Sequence, residues 1–491
     1  MIALGTAQFP SSEYRNAAKR DIFLCGLALL ILVPLLAAPV LTDDRIADDY
    51  HLVGTIGFSA ALRYFYETPG ISRNERPIVR LTFALDNLLW GKQAFGYHLT
   101  NVLLHTANCV LLLLVFLRLT GNLTMAFFSA ALFGIHPVQQ ERLGWITARD
   151  GAVGMLFFLI SLLTYLWSSD IRAGSEARQP SSQGPTQGFR VISVSAYLVA
   201  LCSYEGAVTL PFLLVAVELL FNPHAKSWQD RAVQALRVTS PFFLVMPFYL
   251  AWWFFLFLAK PSEYDLNLSL HSMAHNFYRF HYRLFYGIQH WVAIVYLLLA
   301  ALIWRERRQH WRLMLFSLLV IWIGFLPFLA INGFADRFAY FGAIGAVLFL
   351  GLSLTGITGL NRKIVPKTML PVLLSLTLVG YFGYSITREF RFWIDAGRIS
   401  EEVPTQLKAL RASFPPDSTL VFDQIPRTVF MTSFEWAVRS KYAQAIPRIF
   451  YYPTVLKPSQ SEKLLQREPA FYFRYLPKQE RLVEISARLG P

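Results

Sequence analysis

Apolar runs about 20 residues long and nearly free of charge recur along this chain, and that is the length of helix a bilayer's hydrocarbon core demands. The first covers 22–41, and further spans are expected near 97–118, 122–137, 150–168, 190–204, 206–221, 238–259, 285–304, 312–331, 338–359 and 369–387. Inside lipid every backbone N–H and C=O must be paired within its own segment, so these runs read as helices. The fold class expected is therefore an all-α polytopic membrane protein crossing the bilayer roughly eleven times. The runs at 122–137, 190–204 and 206–221 are short, which suits little tilt or a partly re-entrant path.

Composition agrees. Only 15% of the 491 residues are charged, against about 25% in soluble domains. The net charge of +14 would suggest nucleic acid in a soluble protein. Here the basic residues fall largely between apolar runs, where they set topology and meet anionic lipid headgroups, so nucleic acid is set aside. Cys25, Cys109 and Cys202 each lie in an apolar run and show neither disulfide nor metal spacing, so packing accounts for them. Arg15, Lys19 and Arg20 precede the first run, which is too long for a signal peptide's apolar segment and reads as a retained span.

Two parts are expected: a membrane core over 1–387 and a small soluble α/β domain over 388–491, with short β-rich runs at 419–422 and 470–475. The core carries a long loop at 42–96 and a flexible linker at 169–189, rich in Ser, Gly, Pro and Gln. With the basic N-terminus on the cytoplasmic side, Arg118, Arg231, the cluster Arg305, Arg307, Arg308 and Arg312, and Lys363 follow it there. Five polar groups then share the external side, as does the C-terminal domain: the loop 42–96, the turn 136–150, 203–205, the loop 260–284, and 336–337. Gathering charge at one face of a membrane protein is costly unless it serves a site.

Asp43, Asp44, Asp48 and Asp49 fall within seven residues. Like charges this close raise at least one pKa, which suits a general base near neutral pH; a solvated acidic loop is the alternative. Arg76 and Arg80 can share a helix face and grip phosphate, or snorkel over headgroups. His136 suits a capping role. Glu141–Arg142 and Arg149–Asp150 are candidate internal pairs, with Arg149 alternatively a phosphate ligand. His271 and His275 have i,i+4 spacing, but no third ligand suggests zinc. A divalent ion on the carboxylates stays open, and no other cofactor is indicated. Phosphate-loop, dinucleotide and serine-hydrolase motifs are lacking, so a donor reaching the external side would be lipid-borne or already outside.

Five segments, in order, carry a resemblance. They are RPIVRLTFAL at 76–85 with LWG at 89–91; FGYHLTNVLLH at 95–105; ALFGIHPVQQE at 131–141; SYEGAVTLP at 203–211; and DRFAY at 336–340. Together they resemble the GT-C glycosyltransferases, and most nearly the protein O-mannosyltransferase-like branch that often bears tetratricopeptide repeats. The repeats are absent here, and Tyr204 stands where the family's "SKE" has lysine. ADDY at 47–50 resembles the family's acidic motif, with Asp43-Asp44 a competing placement.

The resemblance implies an inverting transfer of one sugar, a hexose, from a polyprenyl-phosphate carrier to an acceptor hydroxyl on a glycan, lipid or protein of the cell envelope. Asp48 or Asp49 would take the proton. Arg76, Arg80, Arg149 and Arg337 would hold the leaving phosphate, with His136, Glu141, Asp150, Glu205 and Asp336 as further substrate-side candidates. The compact loops lean toward a bacterial inner membrane over an endoplasmic reticulum, and the sidedness of the basic residues then puts the site on the periplasmic side. A transporter, flippase, polymerase or ligase for lipid-linked glycans is the alternative, although no second copy of the acidic or His-Pro segment suggests the paired repeats of a transporter. The sequence does not indicate an oligomeric state.

Overall fold

A computed structural model describes residues 12–67, 76–169, 171, 187–222, 227–257, 266–285, 294, 296–298, 300–301, 311–331, 333–357, 369–430, 434–442, 446, 448–466 and 469–485. Most of the expected linker and of the span at 285–304 lies outside the described residues.

The apolar runs form helices where expected. Ser12–Ala37, Ala94–Thr120, Leu123–Ile135, Asp150–Ser168, Gln187–Leu201, Leu210–Phe221, Trp228–Phe257, Trp311–Phe325 and Tyr340–Ile357 are all α-helical. Among the described residues, six helical stretches are long and apolar enough to cross a membrane, and Leu123–Ile135 and Gln187–Leu201 are shorter apolar helices. At 1.5 Å per residue Leu210–Phe221 is only about 18 Å long, short of a hydrocarbon core of about 30 Å. It is entered through a 3-10 turn, Glu205–Thr209, that carries one of the polar segments.

Helix Ala94–Thr120 packs on Ser12–Ala37, Leu123–Ile135 and Asp150–Ser168. Leu112, Phe116, Phe133, Leu159 and Val347 are buried in the core they share. Within lipid, helices associate through close packing, and glycine permits it. At Gly345 the backbone N of Ile321 would lie 2.7 Å from an added Cβ, so the helices Trp311–Phe325 and Tyr340–Ile357 approach backbone to backbone.

Two helices occur where loops were expected. Pro77–Trp90 lies within the loop 42–96, and Leu270–Leu284 within the loop 260–284. Proline fixes φ at the first helical position, and Arg76 before it is held extended (φ −129°). Leu270–Leu284 puts its apolar residues on one face among His, Arg and Asn, so no continuous apolar run marks it.

The helix Met369–Leu410 is 42 residues long and runs unbroken through the expected junction at 387/388. Its length of about 63 Å is twice the hydrocarbon core. Its C-terminal half carries a four-stranded sheet of order β2-β1-β3-β4. β1 (Thr419–Asp423) pairs in parallel with β2 (Arg448–Tyr451) and β3 (Ala470–Leu476), and β3 pairs antiparallel with β4 (Arg481–Ile485). Ile399, Val403 and Leu407 of the helix pack against Leu420, Phe422, Phe473 and Leu482. The chain is thus a helical polytopic membrane protein with a small α/β unit at its C-terminal end.

Candidate active site

The four clustered aspartates diverge. After helix Ser12–Ala37 a 3-10 turn, Ala38–Thr42, leads into an irregular segment and the short helix Asp49–Leu52. Ala47 turns left-handed at φ 46°, a conformation costing a β-carbon residue roughly 1–2 kcal/mol. Asp49 is fully buried and accepts the Ile46 N–H and the Thr147 N–H, both at 3.0 Å. Asp43 is buried against Gly397 of the long helix and accepts the Asp44 N–H at 2.8 Å. Asp44 and Asp48 remain exposed, and Asp48 lines a pocket.

Burial, more than the mutual repulsion expected, perturbs these carboxyls. It pushes Asp43 up to about 8, with the Asp44 N–H pulling down and Asp44 and Asp395 adding repulsion. Burial also drives Asp49 well above the usual range, against the pull of the Ile46 N–H.

The pocket, about 100 Å³ in volume, draws on four of the five polar segments. Asp48 and Leu52 come from the acidic loop; Arg76, Arg80 and Phe83 from the start of Pro77–Trp90; Trp145, Thr147 and Asp150 from the turn; Tyr204 and Arg337 from the last two. Arg76 reaches Asp150 at 2.5 Å and grips Glu205 in a fork, Nε–Oε2 at 3.0 Å and Nη2–Oε1 at 2.8 Å. Asp150 also pairs with the buried Arg142, and Glu141 with Arg337. Two guanidinium groups lie near the Tyr204 ring, Arg142 at 4.9 Å and Arg76 at 5.4 Å from its centroid. Arg337 sits 5.2 Å from the Trp145 ring, and Arg80 5.2 Å from that of Tyr64.

The adjacent pairs expected at Glu141–Arg142 and Arg149–Asp150 therefore do not form. Successive residues on a helical turn point about 100° apart, so Glu141 and Arg149 find partners on other segments, while Arg142 reaches Asp150 across the turn and Asp150 also takes Arg76. Arg149 is fully buried and does not line the pocket. It pairs with Asp86 at 2.6 Å, donates to Asn101 Oδ1 at 2.8 Å and Tyr97 O at 3.0 Å, and stacks 4.2 Å from the Phe83 ring. The structure therefore places Arg149 among these buried partners and outside the pocket lining. Asp336 likewise lies behind the pocket, bound by Arg283 and, at 3.1 Å, by Gln140. His136 caps the 3-10 turn that follows it: Nδ1 accepts the Val138 N–H at 3.2 Å, so Nε2 carries the proton toward Leu284 O at 3.0 Å.

Trp145, Thr147 and Tyr204 are lining residues that charge-based reasoning passed over. Trp145 Nε1, Thr147 Oγ1 and the Tyr204 hydroxyl are buried without a hydrogen-bond partner in the described residues. Asp86, the counter-ion of Arg149, had one available signal: a lone carboxylate within the apolar stretch 77–90. Among the described residues no cluster of His, Cys, Asp or Glu is arranged to hold a metal ion.

No family model matches the chain. Over 173 residues it is 29% identical to the protein O-mannosyl-transferase Tmtc2 of Drosophila melanogaster, covering 34% of this chain and 18% of that protein. Over 97 residues it is 35% identical to the protein O-mannosyl-transferase TMTC2 of Mus musculus, covering 20% of this chain and 12% of that one. The resemblance read from the ordered motifs is thus to proteins of that name. The chain spans less than a fifth of the length of either relative. Among solved structures, ArnT from Cupriavidus metallidurans bound to undecaprenyl phosphate is similar at a TM-score of 0.48 and 13% identity, covering 96% of this chain and all of that one.

Proposed function

We propose that the chain is an integral membrane glycosyltransferase that moves a hexose from a polyprenyl-phosphate carrier to an acceptor hydroxyl on a glycan, lipid or protein of the cell envelope. One observation carries this reading: the exposed carboxylate of Asp48 shares a pocket with Arg76, Arg80 and Arg337. The names of the similar proteins favour sugar transfer to a hydroxyl over transport.

The acceptor oxygen attacks the anomeric carbon and its proton passes to Asp48. The bond from that carbon to the phosphate oxygen breaks, leaving the electron pair on the phosphate, so a monoanionic diester becomes a monoester of higher charge. The three lining arginines stabilise that growing charge more than the starting one, which is where rate is gained. Asp150 and Glu205 hold Arg76 in place, so little reorganisation is needed as charge develops. Trp145, Thr147 and Tyr204 line the pocket that would take the sugar. Arg149 belongs to the scaffold.

The site and the C-terminal unit are assigned to the external face, that of a bacterial inner membrane in this reading, because the basic residues between runs then lie inside. Mass spectrometry of envelope glycans, lipids and proteins with and without the gene tests the proposal. One class of product should lose a single hexose while the unglycosylated acceptor accumulates. Identical profiles would refute it.

A further inference from the structure

The short helix Asp49–Leu52 is held from two sides. At about 100° per residue, Asp48 and Tyr50 lie about 200° apart and face opposite ways. In front, Asp48 and Leu52 line the pocket. Behind, the Tyr50 hydroxyl donates to the Ser400 carbonyl at 3.1 Å and reaches Glu401 Oε2 at 3.4 Å, while its ring packs on the C-terminal core. Glu401 also binds Lys441 and, at 3.8 Å, Arg45. The His51 ring meets Trp436 edge-on with centroids 3.9 Å apart. Apart from Arg45, these partners belong to the long helix or to the unit it carries. The left-handed turn at Ala47 just before Asp48 is a conformation that persists only where its surroundings hold it.

We infer that the C-terminal unit positions Asp48 through Tyr50, Glu401 and Trp436, holding the acidic loop against the arginine pocket. The inference rests on Asp48 being the base. None of the three lines the pocket, so they act as positioning residues. The phosphate-facing arginines come from other segments, so loosening this support slows the transfer step while leaving phosphate binding in place.

The test uses membrane vesicles from cells carrying Y50F, E401Q, W436A, W436F or D48N. Initial rates of the gene-dependent product are followed by mass spectrometry. The purified full-length proteins are titrated with a C55 polyprenyl phosphate and read by thermal shift. Y50F, E401Q and W436A should each lose about ten-fold or more in rate, in the range a sub-ångström to ångström misplacement produces. W436F, which keeps an aromatic ring, should restore most of the rate, and polyprenyl-phosphate midpoints should stay within about twofold of wild type. Near-wild-type rates in all three, beside an inactive D48N, would overturn the positioning role and leave Asp48 standing. Loss of polyprenyl-phosphate binding together with rate would make these contacts merely structural and overturn it too. Full activity in D48N would remove the base assignment and this inference with it.

Discussion

Asp48 and Asp49 are neighbours with opposite fates. Asp49 is sealed, both oxygens taking backbone N–H groups, whereas Asp48 stays at the pocket. Asn at 49 keeps one acceptor oxygen and turns an NH2 toward an N–H, leaving a buried donor unmet at about 1–3 kcal/mol. Asp49→Asn should therefore lower the detergent melting temperature and the yield, as read by thermal denaturation of purified protein. Asp43 adds a pH dependence. Its folded value of about 8 lies above its ordinary value of 3.8, so between them the folded chain keeps a proton that the unfolded chain has lost. Stability therefore falls as pH rises through that window. Melting curves from pH 5 to 8 should show this slope in wild type and a flatter one in Asp43→Asn. The acidic cluster itself was legible in the sequence. Which carboxylate faces solvent was not, because burial depends on Thr147 and Gly397, far along the chain.

At the scale of elements, the apolar runs were readable because lipid imposes one simple rule on length and hydropathy. Pro77–Trp90 escaped it because Arg80 and Asp86 interrupt its apolar stretch, and Leu270–Leu284 because it is amphipathic. Charge pairing escaped as well: Glu141, Arg142, Arg149 and Asp150 are adjacent in sequence, yet each is answered from elsewhere, by Arg337, Asp86 or Arg76, or across the turn. The contact between Trp311–Phe325 and Tyr340–Ile357 depends on Gly345, where even a Cβ would meet the Ile321 backbone. Gly345→Leu should force these helices apart, and little folded protein should reach the membrane. Immunoblots of membrane fractions and size-exclusion profiles check this.

For the molecule as a whole, four of the five polar groups that the distribution of basic residues put on one side meet at one pocket. The C-terminal contribution could not be anticipated, because a break was expected near 387 and the long helix instead carries the sheet unit back toward the acidic loop. In the proposed reaction Asp48 draws the proton while the arginines hold the phosphate. This is tested most directly by following the gene-dependent glycosylated product in membranes carrying wild type or Asp48→Asn at matched protein levels. Loss of a general base typically costs about 10²–10⁴-fold, so the product should fall below detection in Asp48→Asn while melting temperature and polyprenyl-phosphate binding match wild type. Product at the wild-type rate in Asp48→Asn would contradict it.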